Sequence, residues 1–376
     1  MPKKFGALPI QDIFQMMEAG MIKNAQKENV NPASLDLSIS DEFYRIEGIF
    51  QPRAGESVDD LLHTVRFLPH NLRSPLERGF TYIARLKEKF DLPKNVYGYC
   101  NPKSSTGRND IHVRVIANAV PRYDAVTPKG YNGDLWLAII PRSFSVLLNE
   151  GDTLSQVRFF NQDTRFDELG LEIGMERLGL LWDKKGNLIH YEDLKVSDKD
   201  GAPILSIDLE GWRVPGETGD IVGWECRGLN KIFEFSKRDY VPREFFEPLR
   251  KREDGYIHLK QGGFYILSTA ECVRVHPELA CEMASMDERS GEFRSHYAGF
   301  IDPGWGYGAN GEGKGRPLTL EVRPFEDLII RDRQPIAKIK FEHMREIPEV
   351  LYDAKGTSHY VTQVGPLLSK HFKNAA

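Results

Sequence analysis

The chain has 376 residues, 40% of them hydrophobic and 28% charged, with a formal net charge of −5. That length can hold two domains with ordinary cores, and the acid excess argues against a nucleic-acid or membrane surface as the main partner, so an anionic ligand must be met by local basic residues. No apolar run approaches the ~20 residues of a membrane span, MPKKFGALPIQ lacks the apolar core of a signal peptide, and Cys100, Cys226, Cys272 and Cys281 form no C-x-x-C pair, as in a reducing, cytoplasmic compartment.

In chain order, QDIFQMMEAGMI (11–22) carries helical periodicity, and NPASLDLSI (31–39) opens a series of short β-type runs. GFTYIARLKEKFDLP (79–93) reads as a strand ending in proline. PKSSTGR (102–108) is a turn that sets the hydroxyls of Ser104 and Ser105 beside Lys103 and Arg108, the donor chemistry that a di- or triphosphate requires. After Ala117 come the strands LWLAI (135–139) and LSQVRFF (154–160), then helical periodicity again at FDELGLEIGMERLGLL (166–181). In DKKGNLIHYEDLKVSDKDGA (183–202) charge and glycine rise and apolar periodicity fails, which predicts a linker between domains 1–182 and 203–376.

The second half repeats the first at an offset of about 180 residues. PILSIDLEGW (203–212) answers NPASLDLSI, GFYILSTAECVRVHP (263–277) answers the 79–93 run, and IAKIKFE (336–342) answers LSQVRFF. Ala298 answers Ala117, and LTLEV (318–322) answers LWLAI, so Glu321 stands where the first half has Ala138. Period-two patterning turns Glu321 to the strand face opposite Leu320 and Val322. An apolar residue is what packing alone selects there; a carboxylate needs a reason. The phosphate turn shows the reverse bias. SMDERSGEFR (285–294) allows two registers, Ser285 with Arg289 or Ser290 with Arg294, and Asp287, Glu288 and Glu292 add negative charge beside either.

PKSSTGR, AGFIDPGW (298–305) and LTLEV together resemble the dCTP deaminase and dUTPase superfamily, most closely the dCTP deaminases. The resemblance implies a mainly β chain with few helices, built as two dUTPase-like distorted β-barrel (β-clip) domains in tandem. It implies triphosphate held by Lys103, Ser104, Ser105 and Arg108, and a turn from Ala298 through Ile301 to Asp302 around base and sugar. Glu321 becomes the general base. The tail SHYVTQVGPLLSKHF (358–372), with Tyr360, Gln363 and Gly365, resembles the segment that folds over nucleotide in that family. The complementary losses of the two halves point to one composite site per chain, with the first half's phosphate turn and the second half's carboxylate.

Zinc deaminases carry H-x-E and P-C-x-x-C elements. His276-Pro277-Glu278 meets the first by accident, because no second cysteine follows Cys281, so no zinc and no protein-bound metal are expected. Gly306, Gly308 and Gly311 fit G-x-G-x-x-G but lead into a strand, which excludes a dinucleotide fold and leaves a flexible loop carrying Lys314 and Arg316. Trp136, Trp212 and Trp305 read as packing aromatics. The expected reaction is hydrolytic deamination of dCTP to dUTP and ammonia, with Mg2+ accompanying the triphosphate and dUTP or dTTP as further ligands. Relatives close their sites by threefold packing, which predicts a homotrimer or a multiple of it. The alternatives are a dUTP diphosphatase, a bifunctional enzyme giving dUMP, or a non-catalytic nucleotide-binding regulator.

Overall fold

The computed structural model describes residues 4–214, 216–228, 230–284, 286, 299–354 and 364–373, and the backbone of 293–296. The chain divides into two compact units, Met1–Asp163 with Gly228–Lys237, and Thr164–Arg227 with Arg238–Ala376.

In the first unit the strands run in the order Ile111–Ala117, Asn132–Pro141, Thr81–Asp91, Ser34–Ile46, Thr153–Phe160, Tyr97–Pro102, Ala125–Val126. The long Ser34–Ile46 strand bends the sheet on itself. Its first residues pair with Thr153–Phe160 and its later ones with Thr81–Asp91, with a bulge on each side. Leu35, Leu37 and Ile39 alternate inward to the core, as the period-two reading of LDLSI requires. Both predicted helices form, as α1 (Ile10–Glu18) in this unit and as a second helix, Glu168–Leu178, in the other. Asp167 caps that second helix by accepting the Gly170 N–H at 2.8 Å, and Gly179, at φ +59°, ends it.

The second unit repeats this path as two sheets. Phe293–His296, Arg316–Pro324 and Tyr265–Val273 follow one another in one sheet. Ile204–Ser206, Pro335–His343, Leu279–Ala284 and Phe300–Ile301 form the other. The duplication extends to irregularities. Tyr82 pairs Ile139, Ile83 pairs Ala138 and Arg85 pairs Trp136 before a bulge that resumes at Lys89 and Asp134. Tyr265 pairs Val322, Ile266 pairs Glu321 and Ser268 pairs Thr319 before a bulge that resumes at Cys272 and Pro317. The two tyrosine hydroxyls even accept equivalent backbone N–H groups, from Glu77 at 2.9 Å and from Lys260 at 2.8 Å.

Each bulge buries a carboxyl. Glu88 accepts the Ser38 N–H at 2.9 Å, and Glu271 accepts the Ser206 N–H at 2.8 Å and the Ser206 hydroxyl at 2.6 Å. Burial pushes Glu88 up to about 7 from an ordinary 4.5, and raises Glu271 for the same reason. A carboxyl raised on folding binds its proton more tightly in the folded state, so its stabilising protonation is complete below pH 4.5 and is lost as pH rises towards about 7. Glu88→Gln, whose amide oxygen still accepts the Ser38 N–H, is therefore expected to gain roughly 1–3 kcal/mol over wild type at about pH 8 and nothing at about pH 4. Thermal melts across pH check this; parallel stability curves for the two proteins would contradict it.

The unit boundary corrects the expected one. The division falls at 163/164, and the 183–202 stretch expected as a linker belongs to the second unit. Ile189, Tyr191 and Leu194 pack on that unit's core, and the nearly buried Lys338 ammonium lies 2.7 Å from Asp198 and 2.8 Å from Asp200. The charges that look like a solvated linker neutralise a buried cation. The 203–376 domain is also not continuous, because 228–237 joins the first unit. There Ile232–Glu234 pairs in parallel with Ser145–Leu147, and Phe233 is buried with its ring 5.2 Å from Phe144.

Candidate active site

Glu321 lies mid-strand in Arg316–Pro324 and is only 6% exposed. Leu318, Leu320 and Val322 enter the core cluster of the second unit, which leaves Thr319, Glu321 and Arg323 on the opposite face. Residues directly opposite on neighbouring strands share a face. Trp224, Ile266 and Glu321 thus form one row across three strands. The described end of the tail reaches the same face: the Thr319 hydroxyl donates to the Gly365 carbonyl at 3.3 Å, and the Trp224 indole N–H donates to the Pro366 carbonyl at 2.8 Å.

The first unit has the same row with different contents. Ile83, Trp136 and Ala138 belong to an apolar cluster completed by Ile46, Ile116 and the helix Val58–Leu62 through Val58 and Leu62. The Arg85 guanidinium covers Trp136 at 4.1 Å and pairs with Glu42 and Asp59. Where the second unit presents a carboxylate, the first is packed shut with its own chain.

The turn at Asp302 follows the Phe300–Ile301 strand, whose pairing with Leu279–Ala284 repeats the pairing of Ala125–Val126 with Tyr97–Pro102. Thr127 therefore stands where the second half has Asp302. Ala117 ends the Ile111–Ala117 strand. Asp302 is 7% exposed, and Ile301 packs into the core cluster. Trp305 joins that core with its ring 5.1 Å from Tyr352, Trp136 is fully buried, and Trp212 carries the Lys184 ammonium at 4.0 Å, so all three tryptophans serve packing.

Lys103 leads into the short helix Ser104–Gly107, with Arg108 as its C-cap. Ser105 and Arg108 are buried, and the Asn109 amide donates to the Ser105 carbonyl at 2.7 Å. Asp110, next along, accepts the Ser143 hydroxyl at 2.5 Å, which ties the turn to the sheet. The Lys103 ammonium is already engaged, by Asp36 and by the Thr153 hydroxyl at 2.7 Å, so part of its charge is neutralised within the unit. Ser285, Arg289, Ser290, Ala298, Tyr360 and Gln363 lie outside the described residues. Arg294 is in the Phe293–His296 strand opposite Arg323, whereas Arg108 precedes its strand. The glycine-rich loop is less free than its composition implies: Arg316 holds Asp353 at 2.6 and 2.8 Å, and Lys314 donates to the Gly186 carbonyl at 2.9 Å.

The tail pattern already points to Gly365 from the sequence; Trp224 comes from a distant segment that no local pattern marks, whereas Thr319, two residues from Glu321 on the same strand face, is open to the same period-two argument.

Known proteins give a consistent picture. Residues 4–163 match the family pattern for the 2'-deoxycytidine 5'-triphosphate deaminase N-terminal domain, and residues 180–372 match that for the C-terminal domain of the same family. Curated proteins give no match. Among solved structures, the crystal structure of 2'-deoxycytidine 5'-triphosphate deaminase from Agrobacterium tumefaciens is similar at 32% identity and a TM-score of 0.80, covering 91% of this chain and 99% of that one. With both halves matched in order and the duplicated fold shared, the chain belongs to the 2'-deoxycytidine 5'-triphosphate deaminase family.

Proposed function

We propose that this protein hydrolyses dCTP to dUTP and ammonia, with Glu321 as general base. The observation that carries the reading is a buried carboxylate on a sheet face whose duplicate holds Ala138 in an apolar plug. In the step proposed, the Glu321 carboxylate takes a proton from water as its oxygen bonds to C4 of cytosine. The carboxyl gives that proton to N3 and then carries the new hydroxyl's proton to the exocyclic amine, so that the C4–N bond breaks, ammonia leaves, and C4 becomes the carbonyl of uracil. The enzyme is thus a hydrolase of a cyclic amidine C–N bond. Without a P-C-x-x-C element in the chain, the water is assigned to the carboxylate rather than to zinc.

Ser104, Ser105 and Arg108 hold the triphosphate, with Lys103 contributing less because of Asp36. Mg2+ travels with the nucleotide as counter-ion. Ala298, Ile301, Asp302, Tyr360 and Gln363 are assigned to base and sugar on the family pattern. The second-half turn, with Ser285, Arg289, Ser290 and Arg294 among acidic residues, is assigned the lesser part in phosphate binding. The assembly is a homotrimer or a multiple of it, acting in the cytoplasm to supply dUTP for dTTP synthesis, with dTTP as feedback ligand. Incubation with magnesium and dCTP, dUTP or CTP tests the reading. Ammonia from dCTP supports it; pyrophosphate would assign a diphosphatase or bifunctional enzyme, and neither product a regulator.

A further inference from the structure

We propose that Thr319 is a positioning residue of the deaminase site, fixing the chain at Gly365 against the sheet face that carries Glu321; this rests on the function proposed above. Thr319 and Glu321 are two apart on one strand and share that face. The Thr319 hydroxyl donates to the Gly365 carbonyl at 3.3 Å, and Trp224, in the same cross-strand row as Glu321, donates to the next carbonyl, Pro366, at 2.8 Å. Two side chains of one sheet face thus grip two successive carbonyls. The grip also selects its residue. Gly365 has φ +62°, and a Cβ there would lie 2.3 Å from the Trp212 side chain, so only glycine fits. Beyond it Leu367, Leu368 and Phe372 are buried, with Phe372 5.5 Å from the Phe246 ring, which makes the segment a fixed anchor.

The duplicate supplies the control. In the first unit the place of Thr319 is taken by Trp136, packed beneath Val58 and Leu62. Hydroxyl and carboxylate are therefore lost together in the copy that is closed.

The test is steady-state kinetics with dCTP on Thr319→Val, Thr319→Ser, Gly365→Ala and the double variant Thr319→Val with Gly365→Ala, with melting temperatures measured alongside. Thr319→Val is expected to raise KM about five-fold, the worth of one hydrogen bond, with kcat within about two-fold and melting unchanged. Thr319→Ser, which keeps the hydroxyl, restores the wild-type KM. Because Thr319 acts through Gly365, the double variant is no worse than the worse single one. Unchanged KM in Thr319→Val, failure of Ser to restore it, or multiplying effects in the double variant would each overturn the proposal. An inactive wild type would instead overturn the deaminase reading beneath it.

Discussion

Glu321→Gln is expected to lower turnover of dCTP by about 10²–10⁴ while nucleotide affinity stays within a few-fold. The amide keeps the volume of a side chain that is only 6% exposed, but it cannot take the proton from water. Because the variant binds without consuming its ligand, calorimetric titration with dCTP also counts sites. One nucleotide per chain is expected, since the first unit's equivalent face is filled by Trp136, Val58 and Leu62. Turnover within tenfold of wild type would remove Glu321 from the mechanism, and two nucleotides per chain would mean that the first unit's face is open.

Arg108→Ala is expected to weaken triphosphate binding by about 1.5–3 kcal/mol, the worth of a charge-assisted bond, and Ser104→Ala by less. Arg108 is 3% exposed at the end of a turn tied to its sheet through Asp110 and Ser143, so the backbone that carries it is held in place before ligand arrives. Arg289→Ala and Arg294→Ala should cost less, because Asp287, Glu288 and Glu292 already offset positive charge in that segment. Dissociation constants for the four variants check the order. A dominant second-half arginine with a neutral Arg108 would assign phosphate binding to the second halves alone.

The sequence carried the duplication because packing repeats leave period-two traces that survive divergence. The contrast of Glu321 with Ala138 comes from that repeat, and the sheet register gives the two equivalent positions in their own units. What stayed hidden depended on partners far along the chain. The charged 183–202 stretch resembles a linker until Lys338 is seen between Asp198 and Asp200. Lys103 reads as a free phosphate ligand until Asp36 is found beside it, and Arg316 as a loop cation until Asp353 is. The Ile232–Glu234 strand pairs in parallel with a segment about ninety residues earlier, and no local pattern encodes such a crossover. The plug over Ala138 is completed by Val58 and Leu62, which lie far along the chain from it.

The central claim is that water is delivered to C4 of the base. It is tested most directly by turning over dCTP with magnesium in 18O-labelled water and analysing the nucleotide by mass spectrometry. The account predicts one 18O in the uracil ring of dUTP, unlabelled phosphates and one ammonia per nucleotide. Label in a phosphate group, with the cytosine amine retained, would contradict it.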